Sequence, residues 1–105
     1  MTEYRLGINI SALKDNEPVA ANAGGKDFAI VKIDGKIHAL DGVCTHKGGP
    51  LGKGMVNEGR LVCPWHGGAF EIDTGRADES TPWVTDINVY RVRVDSTDGE
   101  VYIDF

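Results

Sequence analysis

The chain has 105 residues, enough for one small domain with a modest hydrophobic core. Sixteen acidic residues against eleven basic ones give a net charge of −5, and the absence of a basic patch in the sequence argues against nucleic-acid binding. No run approaches the roughly 20 apolar residues of a membrane span, and the N-terminus has no apolar stretch of signal-peptide length. We therefore expect a single domain over residues 1–105, away from membranes.

The periodic stretches of the chain favour strands over helices. Residues 11–14 form at most a short turn that ends before Pro18. The predicted strands, in chain order, are residues 28–33, 36–40, 60–62, 69–72, 89–94 and 101–105. Asp34-Gly35 between the first two strands is a strong β-hairpin signal. Many short strands with frequent turn residues predict an all-β protein of the sandwich or barrel type.

Two short motifs between these strands carry metal-ligand chemistry. The first is Cys44-Thr45-His46, and the second is Cys63-Pro64-Trp65-His66. Each offers one soft thiolate and one borderline imidazole. Iron–sulfur centres usually take four thiolates, but in a Rieske [2Fe–2S] centre two histidines replace two cysteines on one iron. The C-x-H and C-x-x-H spacing fits such a mixed ligand set.

The two motifs, each followed by a pair of glycines, resemble the cluster loops of the Rieske ferredoxin family. The resemblance implies a Rieske-type [2Fe–2S] cluster with Cys44 and Cys63 on the inner iron. His46 and His66 are then the ligands of the outer iron. It also implies the Rieske fold, a small sandwich- or barrel-like β base with a cluster-binding subdomain inserted at about residues 42–82.

Other interpretations of the two cysteines remain open. A disulfide or a pair of buried inert thiols is possible, but neither explains the histidine two residues after Cys44 and three after Cys63. A structural zinc site also accepts two cysteines and two histidines, although zinc sites usually pair like ligands in each half. His38, the third histidine, lies in an alternating run and is expected to be an ordinary strand residue without a metal role.

The residues after the second motif predict a low reduction potential. The high-potential members of the family carry a serine and a tyrosine just after the second histidine ligand, where this chain has Gly68 and Phe70. Neither side chain donates a hydrogen bond, and donors aimed at the sulfurs raise the potential. The high-potential branch also has an extra disulfide between its cluster loops, for which this chain has no cysteines.

The resemblance implies an electron carrier that is not itself an enzyme. Ferredoxins of this kind pass single electrons from a flavin-dependent ferredoxin reductase to a terminal non-haem iron oxygenase. The 2-His-1-carboxylate iron site of such an oxygenase needs histidines that this chain does not have to spare. We expect a monomeric, cytoplasmic protein, since cysteines committed to a cluster indicate a reducing compartment. A small reductase subunit of the nitrite-reductase type and a structural zinc or interaction module are the alternatives.

Three residues close to the motifs leave questions open. Asp86 stands where many relatives carry a second proline, so the conformation of residues 79–87 is undetermined. Trp65 and Trp83 are interpreted as packing around the cluster. The alternative is that one of them is exposed and forms part of a surface through which electrons leave.

Overall fold

The structure is a computed structural model that describes residues 2–45, 48–65 and 67–105. In these residues, nine strands run in order as β1 (Glu3–Asn9), β2 (Val19–Ala23), β3 (Lys26–Ile33), β4 (Lys36–Asp41), β5 (Met55–Asn57), β6 (Arg60–Val62), β7 (Ala69–Glu71), β8 (Val89–Val94) and β9 (Glu100–Asp104). Two single 3₁₀ turns occupy Ile10–Ala12 and Leu51–Lys53. The described part of the chain contains no helix with the length and hydropathy that a bilayer crossing needs. The all-β prediction is confirmed.

The strands form two antiparallel sheets, and the chain segment that contains the smaller sheet is inserted between two strands of the larger one. The larger sheet has the order β1-β9-β8-β4-β3-β2, and the smaller has the order β5-β6-β7. Because β1 and β2 at its two edges touch each other, the larger sheet nearly closes into a barrel. The smaller sheet lies in the chain between β4 and β8, which are paired neighbours in the larger sheet. This matches the predicted base with an insertion, while the boundaries at residues 42–82 stay a prediction.

Two tight hairpins connect strands within these sheets. Asp34 and Gly35 have φ of 50° and 78° between β3 and β4, and Glu58 and Gly59 have φ of 50° and 77° between β5 and β6. A two-residue hairpin turn with positive φ at both positions matches the right-handed twist of the strands that it joins. The predicted Asp34-Gly35 hairpin is confirmed, and the second hairpin reveals β5, a strand that the sequence analysis missed.

The strand β3 is the wall that both sheets share. Phe28 and Ile30 point into a base core, and Ala29 and Val31 point into a second core that also contains both cysteines. All four side chains are buried. A strand that is buried on both faces has a continuous apolar sequence instead of an alternating one. The apolar run in β3 is therefore explained by its position between the base and the insertion.

A polar network at Asp41 closes the neck where the insertion leaves the base. The Asp41 N–H donates to the Asn88 carbonyl at 3.0 Å, and the Asn88 N–H donates to Asp41 Oδ2 at 2.8 Å. The Tyr90 hydroxyl donates to Asp41 Oδ1, and Lys26 Nζ lies 3.5 Å from the same oxygen. Burial, followed by the Asp41 carboxylate, raises the pKa of Tyr90. The two ends of the insertion are thus tied together through one carboxylate.

The neutral Tyr90 hydroxyl should stabilise the fold only below strongly alkaline pH. Its pKa in the folded state lies above the usual 10.0. The unfolded chain therefore loses this proton first as the pH rises, and the contribution is complete below about pH 10 and lost as the pH passes through the folded pKa. We expect Tyr90→Phe to cost about 1.5–3 kcal/mol at neutral pH, the value of a hydrogen bond to a charged group. Its unfolding free energy, measured by urea denaturation, should then fall less steeply above about pH 10 than that of the wild type.

The matched control is Tyr102→Phe, which removes a tyrosine hydroxyl from β9, outside the Asp41 network. The hydrogen bond with Tyr90 and the charge of Asp41 both raise the pKa of Lys26. Some alkaline loss should remain in Tyr90→Phe, because the charge of Asp41 is still present there. Parallel curves for the wild type and Tyr90→Phe across the alkaline range would show that the network does not hold the Tyr90 proton.

Candidate metal centre

Each cysteine begins a loop that is closed by the same backbone hydrogen bond. Cys44 follows β4 by three residues, and its N–H donates to the Gly49 carbonyl at 2.9 Å. Cys63 directly follows β6, and its N–H donates to the Gly68 carbonyl at 2.8 Å. In both cases the acceptor lies five residues after the cysteine. The two motifs differ in the spacing of their cysteine and histidine, but both loops are closed by a hydrogen bond from the cysteine N–H to the carbonyl five residues later.

The two glycines that follow each motif have separate roles. Gly48 and Gly67, the first of each pair, have φ of 73° and 71°, a region that favours glycine. Gly49 and Gly68, the second of each pair, lie against the opposite loop. A Cβ added at Gly49 would lie 2.5 Å from Cys63 Sγ, and one at Gly68 would lie 3.6 Å from Cys44 Sγ. The loops thus hold each other's thiols through glycine backbone.

The two thiols are buried next to each other. Cys44 is 3% exposed and Cys63 is 2% exposed, and both are free. Burial raises the pKa of the Cys63 thiol, the Trp65 N–H that donates to its sulfur at 3.4 Å lowers the pKa, and the neighbouring Cys44 thiol raises it. A thiol in this setting becomes a thiolate when a bound cation supplies the compensating charge.

The chemistry of this site fits a metal group with sulfur ligands. Paired thiols select zinc or iron–sulfur centres, and the glycine backbone at the thiols leaves space that any side chain would fill. Both remaining predicted ligands, His46 and His66, lie outside the described residues. Among the described residues, no three histidine, cysteine or acidic side chains come together. The complete ligand set of Cys44, His46, Cys63 and His66 stays a prediction.

The thiols face an apolar interior on one side. The core that contains both cysteines also contains the buried side chains Leu51, Leu61, Phe70, Ile72, Val84 and Ile87. Phe70 and Leu61 are paired in register on β7 and β6, so the small sheet forms part of this wall. Water is excluded from the wall, and charge at the sulfurs is therefore felt more strongly than it would be in solvent.

The opposite side of the site is an apolar rim open to solvent. Trp65 is 49% exposed and Trp83 is 45% exposed. Both still contact the site, since a Cβ at Gly49 would lie 3.2 Å from Trp65 Cγ and one at Gly68 would lie 3.7 Å from Trp83 Nε1. About half of each tryptophan side chain therefore packs against the site. The other half is exposed and is available for the electron-exit surface that the alternative interpretation requires.

Thr45, between the predicted ligands of the first motif, is a contact that the sequence analysis missed. Its Oγ1 accepts a hydrogen bond from the Thr85 N–H at 3.0 Å and donates to the Thr85 carbonyl at 3.0 Å. The hydroxyl thus fastens residues 79–87 to the first loop. The available signal was a hydroxyl residue inside the motif, but its partner forty positions away cannot be read from the sequence.

The other predicted residues fall in expected places. His38 lies in β4 opposite Val31 of β3, as an ordinary strand residue, with Nδ1 4.0 Å from Asp73 Oδ1. Gly68 and Phe70 lie at the end of the second loop and in β7, and Phe70 is fully buried. Thr81, a buried polar residue that was not singled out, accepts the Ala69 N–H through its hydroxyl at 3.2 Å and so attaches residues 79–87 to β7.

Comparison with known proteins places these features in a family context. Residues 6–91 match the family described as Rieske [2Fe-2S] domain. The anthranilate 1,2-dioxygenase ferredoxin subunit of Burkholderia cepacia is 33% identical over 90% of this chain and 84% of its own length. The ferredoxin component of the naphthalene 1,2-dioxygenase/salicylate 5-hydroxylase systems of a Ralstonia species is 31% identical over 80% of each chain.

Human apoptosis-inducing factor 3 is also similar, at 33% identity over 90% of this chain. The chain spans only 15% of the length of that relative. The match therefore concerns one region of a much longer protein.

Solved structures agree with these matches. The Sphingomonas yanoikuyae B1 ferredoxin is 33% identical and superimposes with a TM-score of 0.86 over 99% of both chains. A chain from the complex of reduced oxygenase and oxidized ferredoxin in carbazole 1,9a-dioxygenase is 27% identical, with a TM-score of 0.83 over 96% of this chain and 91% of that one. A Mycobacterium tuberculosis protein described as an NADH-dependent nitrite reductase small subunit shares the fold, at 20% identity and a TM-score of 0.83 over 98% of this chain and 96% of that one.

Thr45→Val should loosen the first loop, because valine keeps the branched shape but makes neither hydrogen bond with Thr85. Two hydrogen bonds of about 0.5–1.5 kcal/mol each predict a loss of about 1–3 kcal/mol. We expect a lower melting temperature for Thr45→Val than for the wild type, measured by thermal unfolding monitored by circular dichroism. The matched control is Thr45→Ser, which retains the hydroxyl and should stay close to the wild type. Equal melting temperatures for the valine and serine variants would refute a role for the hydroxyl.

Proposed function

Because the chain belongs to the Rieske [2Fe–2S] domain family, we propose that it carries single electrons as the ferredoxin of an oxygenase system. The cofactor of the family is the Rieske-type [2Fe–2S] cluster, and here we assign it to Cys44, His46, Cys63 and His66. The observation that carries the proposal is the buried pair of thiols, each lying against the glycine backbone of the opposite loop. When bound, the cluster supplies a one-electron couple, and the catalysis belongs to the oxygenase.

The proposed partners are a flavin-dependent ferredoxin reductase and a terminal oxygenase. Two relatives of which this chain covers 80% and 84% are named as the ferredoxin component or ferredoxin subunit of dioxygenase systems. One structural neighbour is the ferredoxin of a complex with an oxygenase. These similarities favour a separate electron carrier over a nitrite-reductase small subunit, for which the likeness extends to the fold alone.

The surface of the site supports contact with a redox partner. Val43, Trp65 and Trp83 are between 45% and 49% exposed and give a partner apolar area to cover. The net charge of −5 favours encounter with a basic partner and affects the rate of association more than the affinity. The proposal includes a monomeric protein in the cytoplasm, where the two free cysteines agree with a reducing compartment.

The decisive experiment is a redox titration of the purified protein followed by electron paramagnetic resonance. We expect iron and acid-labile sulfide in equal amounts and a rhombic signal in the reduced state, because one iron has two histidine ligands. His46→Ala and His66→Ala should each abolish this signal. His38→Ala is the matched control, since it removes a histidine from β4 and should leave the signal unchanged.

Two results would overturn the assignment. Zinc without sulfide would replace electron transfer with a structural site. A cluster signal that survives replacement of His46 and His66 would show that the ligands were wrongly assigned. Electron transfer to a separately purified oxygenase would distinguish a mobile ferredoxin from a fixed reductase subunit, which should be isolated only with its larger partner.

We propose a midpoint potential in the lower part of the Rieske range of about −150 to +300 mV. At Gly68, the nearest sulfur to an added Cβ is Cys44 Sγ, at 3.6 Å, so a serine there would bring a hydroxyl donor to the sulfur. A hydrogen bond to a charged group is worth about 1.5–3 kcal/mol. At 59 mV for each tenfold change, Gly68→Ser should therefore have a potential about 65–130 mV above that of Gly68→Ala.

Alanine is the required control because any Cβ at Gly68 would lie 2.6 Å from Val84 Cγ1. Both variants displace Val84 equally, and the difference between them isolates the hydroxyl. The same pair on a Val84→Ala background removes the steric conflict. Equal potentials for serine and alanine would contradict the donor argument, and a wild-type midpoint above about +100 mV would contradict the low-potential proposal.

A further inference from the structure

We propose that Asp86 is a positioning residue that holds residues 79–87 over the cysteine pair and thereby protects the cluster. The inference rests on the proposed cluster at Cys44 and Cys63. Asp86 stands at the position where the family resemblance leads one to expect proline. The carboxylate performs by a hydrogen bond the task that a proline performs by restricting the backbone.

The contact itself is short and specific. Asp86 Oδ1 accepts a hydrogen bond from the Ala77 N–H at 2.8 Å. Ala77 forms an antiparallel bridge with Phe70 of β7, next to the small sheet. The Asp86 side chain therefore ties the end of residues 79–87 to the small sheet, from which the second cluster loop also extends.

The segment held in this way covers the cysteines directly. Val84 and Ile87 are 5% exposed and belong to the core that contains both thiols. Val84 lies so close to Gly68 that an added Cβ there would be 2.6 Å from Val84 Cγ1 and 3.6 Å from Cys44 Sγ. Any outward movement of the segment would therefore open a path for solvent to the Cys44 side of the site.

Hydrogen bonds hold two consecutive residues of the segment to different parts of the molecule. Thr85 is bound through its backbone to the hydroxyl of Thr45 in the first loop. Asp86 is bound to Ala77 beside the small sheet. The Ile87 N–H then donates to the Gly75 carbonyl at 2.8 Å. Loss of the Asp86 acceptor leaves the Ala77 N–H without this partner. The segment then stays attached through Thr45, through the Thr81 hydroxyl and through the Ile87 N–H, but its tether at residue 86 is gone.

A proline and an aspartate restrain such a segment by different physics. Proline fixes φ near −65° and reduces the conformational freedom of the unfolded chain as well. A carboxylate leaves the unfolded chain free and acts only in the folded state, where it accepts the hydrogen bond. The restraint in this chain therefore depends on the acceptor oxygen of residue 86, which mutation can remove without changing the backbone.

The test compares Asp86→Ala with Asp86→Asn in the cluster-loaded protein. The readouts are the rate at which an iron chelator bleaches the visible absorbance and the line shape of the reduced-state resonance signal. We expect Asp86→Ala to lose its cluster about two- to tenfold faster, the factor that corresponds to one hydrogen bond, and to show a broadened signal. Asp86→Asn retains an acceptor oxygen and should behave like the wild type.

Asp98→Ala is the matched control. Asp98 Oδ1 also accepts a backbone N–H, that of Glu100 at 2.9 Å, but it does so between β8 and β9. This variant should leave bleaching and line shape unchanged. Equal bleaching by the alanine variants at 86 and 98, or bleaching of Asp86→Asn as fast as Asp86→Ala, would overturn the inference. Absence of a cluster from the wild type would instead overturn the proposed function.

Discussion

The close approach of two loops is the constraint on which the rest of the structure depends. Each loop presents glycine backbone to the cysteine of the other loop, and at Gly49 there is no room for even one further carbon beside Cys63 Sγ. Such an approach is possible only if both loops are held in place by something outside them. The first loop is held by the end of β4, and the second is held by the paired strands β6 and β7. The two sheets therefore have to be fixed relative to each other.

Three features of the sequence fix the two sheets. The strand β3 is apolar on both faces and packs against both cores. Asp41 ties the two ends of the insertion together at the neck. In addition, the 3₁₀ turn at Leu51–Lys53 packs against β2 so closely that a Cβ at Gly52 would lie 2.5 Å from Ala20 Cα. The β3 packing and the Gly52 contact join the base to the insertion, and the Asp41 network fixes the point at which the insertion leaves the base. Together they leave the loops one relative position.

These contacts also explain what could be predicted from the sequence and what could not. The Asp34-Gly35 turn and the alternation in β8 are local signals, and each led to the right element. The strand β2 was missed because its alanines have low strand propensity, yet Ala20 has to be small to admit the Gly52 backbone. The strand β1 was missed although Tyr4, Leu6 and Ile8 alternate in its sequence and pack on the base core. Its pairing with β9 is a contact between the two ends of the chain.

The same reasoning separates the predictable part of the site from the rest. A ligand of the predicted cluster has to carry a thiol or an imidazole. Candidate ligands can therefore be recognised in the sequence wherever they lie in the fold. Residues that hold ligands in place need only a donor or an acceptor at the right distance, and any hydroxyl or carboxylate can serve. Thr45 and Asp86 are of this second kind, with partners 40 and 9 positions away. A missing proline can therefore be offset by an ordinary aspartate, and only the folded chain reveals that the restraint has been kept.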